Sequence, residues 1–108
     1  MPAYLLIRVD VHDWDRYRAY MHATPAALAK YGGEFIARGG ETATLEGPEE
    51  TRRVALVEFP SLAQAKAFYA SPEYEAAKAL RAGACDAQFV AIEGLTNGEE
   101  LYSGSPSQ

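Results

Sequence analysis

The chain has 108 residues, of which 48% are hydrophobic and 23% charged, the size and composition of one globular domain. Its formal net charge of −5 repels phosphate backbones and anionic lipid heads, which argues against nucleic acid and membrane surfaces as partners. Tyr4–Ile7, the longest apolar run, is far too short to span a bilayer, the N-terminus lacks the pattern of a signal peptide, and Cys85 is the only cysteine, so a cytoplasmic protein without a disulfide framework is expected.

Residues Ala3–Val11 alternate, with Leu5, Ile7, Val9 and Val11 on one face and Tyr4, Leu6, Arg8 and Asp10 on the other. That is the period of a strand. Asp13 then suits a helix N-cap, because its carboxylate can accept from the free N–H groups of the first turn. Trp14, Tyr17, Met21, Leu28 and Tyr31 recur on one helical face, and Gly32–Gly33 ends the helix. Glu34–Arg38 reads as a second strand, with Gly39–Gly40 bending or bulging it and Thr42–Glu46 continuing it beyond. Gly47–Thr51 is a turn and Arg53–Phe59 a third strand, stopped by Pro60.

Ser61 can cap a helix carrying Leu62, Ala65, Phe68 and Tyr69. Ser71–Pro72 restarts or bends it, with Glu73 favoured by the helix dipole, and the helix runs to about Ala82 before Gly83 stops it. Asp86–Glu93 is the fourth strand. Residues 1–96 thus make one domain, and the polar tail of residues 97–108 is expected to be loosely held.

Each half holds a strand, a capping residue (Asp13, Ser61), a helix, an Ala-Thr-Pro or Ala-Ser-Pro step at Ala23–Pro25 or Ala70–Pro72, a glycine and a second strand. Two matching βαβ halves specify the ferredoxin-like α+β plan: βαββαβ, a four-stranded antiparallel sheet with helices on one side. The other face, carrying Tyr4, Leu6 and Arg8 with Val54, Leu56 and Glu58, is too apolar to stay in water on a monomer, so a homodimer is expected. Arg8 and Glu58 are expected to pair across neighbouring strands on that face.

The segments Lys30–Gly40 (KYGGEFIARGG), Val57–Leu62 (VEFPSL), Ala67–Tyr74 (AFYASPEY) and Leu80–Arg81 resemble the domain of unknown function 1330 family over about residues 3–95. That resemblance implies assembly as a dimeric α+β barrel and assigns no reaction. Members of the wider superfamily include cofactor-independent quinone-forming monooxygenases, haem-degrading enzymes and lactone isomerases, which commonly hold ligands between sheet and helices. Function carried over on a shared fold is an analogy.

Several residues have the chemistry for a site. Arg38 beside Gly39 and Gly40 offers a guanidinium fork and approachable backbone N–H groups, or else a strand bulge whose arginine pairs with Glu34 or Glu41. Ser71, Glu73 and Tyr74 open a helical stretch that would welcome an anion, or simply cap it. Arg81 can reach the same region, although in a last turn it reads more readily as compensation of the helix dipole. Tyr69 and Tyr74 are placed at a cavity edge, with Tyr17 and Phe68 in the core. His22 and Tyr69 are the candidate proton carriers, although His22 falls on the polar helix face.

Asp10, His12, Asp13 and Asp15 read as helix capping rather than a metal site, and Cys85 as a structural thiol. No metal and no cofactor is expected. The reading that follows is a homodimer binding a small organic ligand, planar and acidic, between sheet and helices, with cofactor-independent catalysis open. The alternative is a non-catalytic dimeric module whose cleft is filled by its own side chains. RNA binding is rejected, because the third strand carries aliphatic residues where aromatics would be needed.

Overall fold

The two strand–helix–strand units build one sheet with helices on a single face. The computed structural model describes residues 1–95, and the tail expected from Asn97 lies outside the described residues. The elements are β1 (Ala3–Val11), α1 (Trp14–Lys30), β2 (Glu34–Arg38), β3 (Arg53–Phe59), α2 (Leu62–Tyr69), α3 (Pro72–Ala79) and β4 (Cys85–Glu93). The strands lie in the order β2-β3-β1-β4, each antiparallel to its neighbour. This is the ferredoxin-like α+β arrangement, with its second helix divided into α2 and α3.

The capping residues act as their chemistry dictates. Asp13 accepts from the Arg16 N–H, Ser61 from that of Gln64 and Ser71 from that of Tyr74. The two serine/threonine–proline steps diverge. Thr24 turns its hydroxyl onto the Tyr20 carbonyl at 2.7 Å, and α1 runs on through Pro25. Ser71 instead becomes the N-cap of α3, with Pro72 at its start. Gly32, at φ +78°, ends α1, and Gly33 is small because a Cβ there would stand 2.6 Å from the Phe59 ring.

The core forms where the inward residues of β1 (Leu5, Ile7, Val9) and β3 (Ala55, Val57, Phe59) meet Tyr17, Tyr20, Leu28, Phe68 and Tyr74 of the helices. Each large side chain buried there contributes about 1.5–3 kcal/mol. Trp14, expected on this face, is 43% exposed, its ring under the Arg53 guanidinium. Among the described residues no helix covers the outer sheet face. Leu6 lies between Leu56 and Val90, and Tyr4 between Glu58 and Ile92. Val90 is 44% exposed and Ile92 63%.

Four local expectations are corrected. Thr42–Glu46 forms no strand; the chain leaves the sheet after Arg38. The irregularity in β2 falls between Phe35 and Ala37, ahead of the glycines. Arg8 faces Val54, and Glu58 faces Tyr4, because antiparallel pairing reverses depth along the partner strand. Arg8 pairs with Glu50 at 3.0 Å, a carboxylate that Arg52 also engages. Finally, α3 closes at Ala79, and residues Leu80–Ala84 continue as tight turns.

The end of α1 is tied to the first turn of α3 by Lys30 and Tyr31, which both donate to the Glu73 carboxylate. The Lys30 contact, with the Glu73 backbone N–H and Tyr31, holds that carboxyl down at about 2, against an ordinary 4.5. A depressed carboxylate stabilises the fold fully above the ordinary value and loses that contribution as pH falls through the folded one. Glu73→Gln should therefore lower the thermal midpoint at pH 7 and converge with the parent as pH approaches 2. A gap that calorimetry finds unchanged with pH would refute this.

Candidate functional site

On β4 the inward positions Ala87, Phe89 and Ala91 lie beside Val9, Ile7 and Leu5 of β1. Two of the three are alanine, so this strand builds a shallower layer than β1 or β3. The helix layer does not descend to fill the difference. A cleft of about 390 Å³ results, within the roughly 300–1,000 Å³ range of small-molecule sites. Leu5, Ala87, Phe89 and Ala91 make its floor, Ala65, Lys66 and Tyr69 of α2 make one wall, and Arg81 closes one end.

Arg81 points into the core instead of out towards solvent. Its Nη2 donates to the Tyr74 hydroxyl at 3.1 Å, and its Nη1 lies 3.7 Å from Cys85 Sγ. The guanidinium sits 5.1 Å from the Tyr20 ring centroid and 5.4 Å from that of Phe89, distances at which aromatic faces attract a cation. Its Nε–H is buried and has no hydrogen-bond partner among the described residues. Among the described residues no carboxylate pairs with it.

Behind Arg81, the hydroxyls of Tyr74 and Tyr20 are 2.9 Å apart, and both side chains are buried. Burial raises both tyrosine pKa values, so both hydroxyls stay neutral at physiological pH. Burial alone would lower the Arg81 pKa, but the hydrogen bond it donates to Tyr74 and the attraction of Tyr74, Tyr20 and Cys85 together outweigh burial, and the group stays above its ordinary value. A permanent cation is therefore fixed from behind by neutral oxygens.

The residues singled out in the sequence divide between two edges of the sheet. Tyr69 lines the cleft, its ring 5.6 Å from Phe89 and 5.2 Å from Tyr74. Tyr74 stands behind Arg81, completely buried. Ser71 is buried, donating to the Phe68 carbonyl at 2.7 Å and accepting from the Tyr74 N–H at 3.0 Å. Arg38, Gly39 and Gly40 lie at the far edge, on and after β2.

There the Arg38 Nη2 donates to the Met21 carbonyl at 2.9 Å, and its guanidinium covers the Phe35 ring at 4.2 Å. Pro25, four residues after Met21, has no N–H to offer that carbonyl, so Arg38 supplies the missing donor. Gly39, at φ +71°, passes so close to Arg53 that a Cβ would strike its guanidinium. Gly40 has open space around it, and His22 is exposed on α1.

Asp13 caps α1, His12 pairs with Asp86 at 2.9 Å and Asp15 with Arg18. Among the described residues no three His, Cys, Asp or Glu side chains are placed to hold a metal. From the sequence, dipole compensation outweighs a site role for Arg81, because a cation in a last helical turn usually faces water. The signal that could have shown it is the alanine pair flanking Phe89, small residues on the inward face of a strand opposite large ones.

The chain belongs to the family described as domain of unknown function DUF1330, whose model matches residues 2–95. It is similar to a protein of unknown function from Rhodopseudomonas palustris, at 23% identity over 89% of this chain and 84% of that one, with a TM-score of 0.72. A dimeric ferredoxin-like protein of unknown function from Jannaschia sp. CCS1 is 16% identical over 87% of this chain and all (100%) of that one, with a TM-score of 0.64. SnoaB, a cofactor-independent oxygenase from Streptomyces nogalater, is 13% identical over 91% and 97% of the two chains, with a TM-score of 0.62. At these identities the likeness is one of fold. No curated protein sequence matches the chain.

Tyr74→Phe keeps the ring and removes the oxygen between Tyr20 and Arg81. Stranding those buried polar groups should cost about 1–3 kcal/mol of stability, measured by urea unfolding. A variant as stable as the parent would show that the hydroxyl does not hold the cluster.

Proposed function

We propose that the protein is a homodimer, paired through the outer sheet faces, and that each protomer binds a small organic ligand in the cleft between α2 and β4. The observation that carries the binding reading is the cleft itself: an apolar floor, aromatic side chains and an arginine that no carboxylate pairs with among the described residues, around one open cavity. An open cleft supports this over a non-catalytic module filled by its own side chains. The dimeric Jannaschia protein and the exposed row of Val90 and Ile92 support the pairing. The net charge of −5 supports a small-molecule partner over nucleic acid or a membrane surface, and the single cysteine is compatible with the cytoplasm.

The likeness to a cofactor-independent oxygenase supports assaying any captured ligand for turnover without added cofactor. Tyr69, at the cleft wall, is the proton carrier nearest that chemistry; His22 lies outside the cleft lining.

Two measurements test these halves separately. Sedimentation should give a dimer for the parent chain and a monomer for Leu6→Lys combined with Leu56→Lys, which places two charges on the outer face. A parent monomer at micromolar concentrations rules the pairing out. Native mass spectrometry of gently purified protein should show an added mass of small-molecule size that departs on denaturation and is lost in Ala91→Leu. An added mass that Ala91→Leu retains would place the ligand elsewhere.

A further inference from the structure

We infer that the cleft selects a planar aromatic carboxylate, with its charge on Arg81 and its ring on the alanine floor against Tyr69 and Phe89. This rests on the reading of the cleft as a ligand site.

Charge is the first argument. The chain carries 15 acidic residues against 10 lysines and arginines, yet among the described residues no acid lines the cleft, where Lys66 and Arg81 both stand. Lys78 adds a third cation, its Nζ 4.8 Å from the Tyr69 ring centroid. A partly desolvated guanidinium without a counter-ion favours an incoming anion, because the cost of dehydrating the cation has already been met on folding.

Donor geometry is the second. Tyr74 and Cys85 each occupy one hydrogen of a terminal nitrogen. Each terminal nitrogen therefore keeps one hydrogen, and two such donors match the two oxygens of a carboxylate. The Tyr74–Tyr20 pair fixes the guanidinium from behind, so little side-chain entropy remains to be lost on binding.

Shape is the third. Ala87 and Ala91 leave shallow places in the floor on either side of Phe89, whose ring meets that of Tyr69 at 58° in an aromatic corner. A flat ring contacts floor and corner together, and edge-to-face packing against the corner is favourable. Phosphate or a hydrophilic acid would use the arginine and leave the apolar floor empty.

The test is calorimetric titration of the intact protein with benzoate and 2-naphthoate, each against its neutral amide, benzamide and 2-naphthamide. The acids should bind about tenfold or more tightly than the amides, the factor expected for a charge-assisted hydrogen bond. Arg81→Met should remove that discrimination, and Ala91→Leu should abolish binding of acids and amides alike. Acids and amides bound equally, and both lost in Ala91→Leu, would keep the ligand site and overturn the carboxylate. No binding of any of the four compounds, or binding indifferent to Ala91→Leu, would overturn the class and the site together. The parent comparison of acid with amide decides the first question even if Arg81→Met fails to fold.

Discussion

The hydrogen bond from Arg81 to the buried Tyr74 hydroxyl lies where four parts of the fold meet. Tyr20 comes from α1, Tyr74 from α3, Arg81 from the turns after α3, and Cys85 and Phe89 from β4. A charged group this close to the core is tolerated only where hydrogen bonds and aromatic faces replace water. Those partners therefore determine where the chain can cross from α3 to β4. The same bond turns the guanidinium towards the cleft, so a contact that holds the fold also sets the charge of the cavity.

Uneven cover of the sheet explains the rest. The helices seal the inward faces of β1 and β3, while the inward residues of β4 stay partly or fully exposed. On a central strand, alanines would leave a void with lost packing contacts. On this edge strand they leave a groove that opens to solvent. Among the described residues no helix covers the opposite face of the sheet, and its apolar row of Leu6, Leu56, Val90 and Ile92 runs across three strands. A two-layer domain thus presents two open surfaces, one flat and apolar, one concave and cationic. The proposed occupants differ accordingly, a second sheet face on one and a small anion in the other.

The fold was legible because period-two runs, caps and glycine stops agreed with one another at almost every boundary. Asp13, Ser61 and Ser71 were readable as caps because their role is local, decided by the next three residues. What could not be read depends on contacts across the fold. Arg38 supplies a donor to a carbonyl that Pro25 leaves free, seventeen residues away. Arg8 finds Glu50, at the far end of a loop whose path no periodicity records. Tyr74 was expected at a cavity edge and lies wholly inside, since helical spacing cannot tell how deeply the helix sinks. Of the cleft, Tyr69 was in view from the sequence, whereas Arg81 needed the turns after α3 to aim it inward.

Membership of DUF1330 fixes the architecture and leaves the chemistry to the site. The central claim is that Arg81 is the anion-binding group, and its side-chain Nε–H resonance in a nitrogen-15 correlation spectrum reports on it directly. Buried and without a partner, that proton should give a distinct signal, assigned by its loss in Arg81→Lys. Titration with 2-naphthoate should shift it saturably while the Arg38 and Arg53 signals stay in place. A stationary Arg81 signal, with shifts at Arg38 or Arg53 instead, would move the site to the other edge of the sheet and contradict the account.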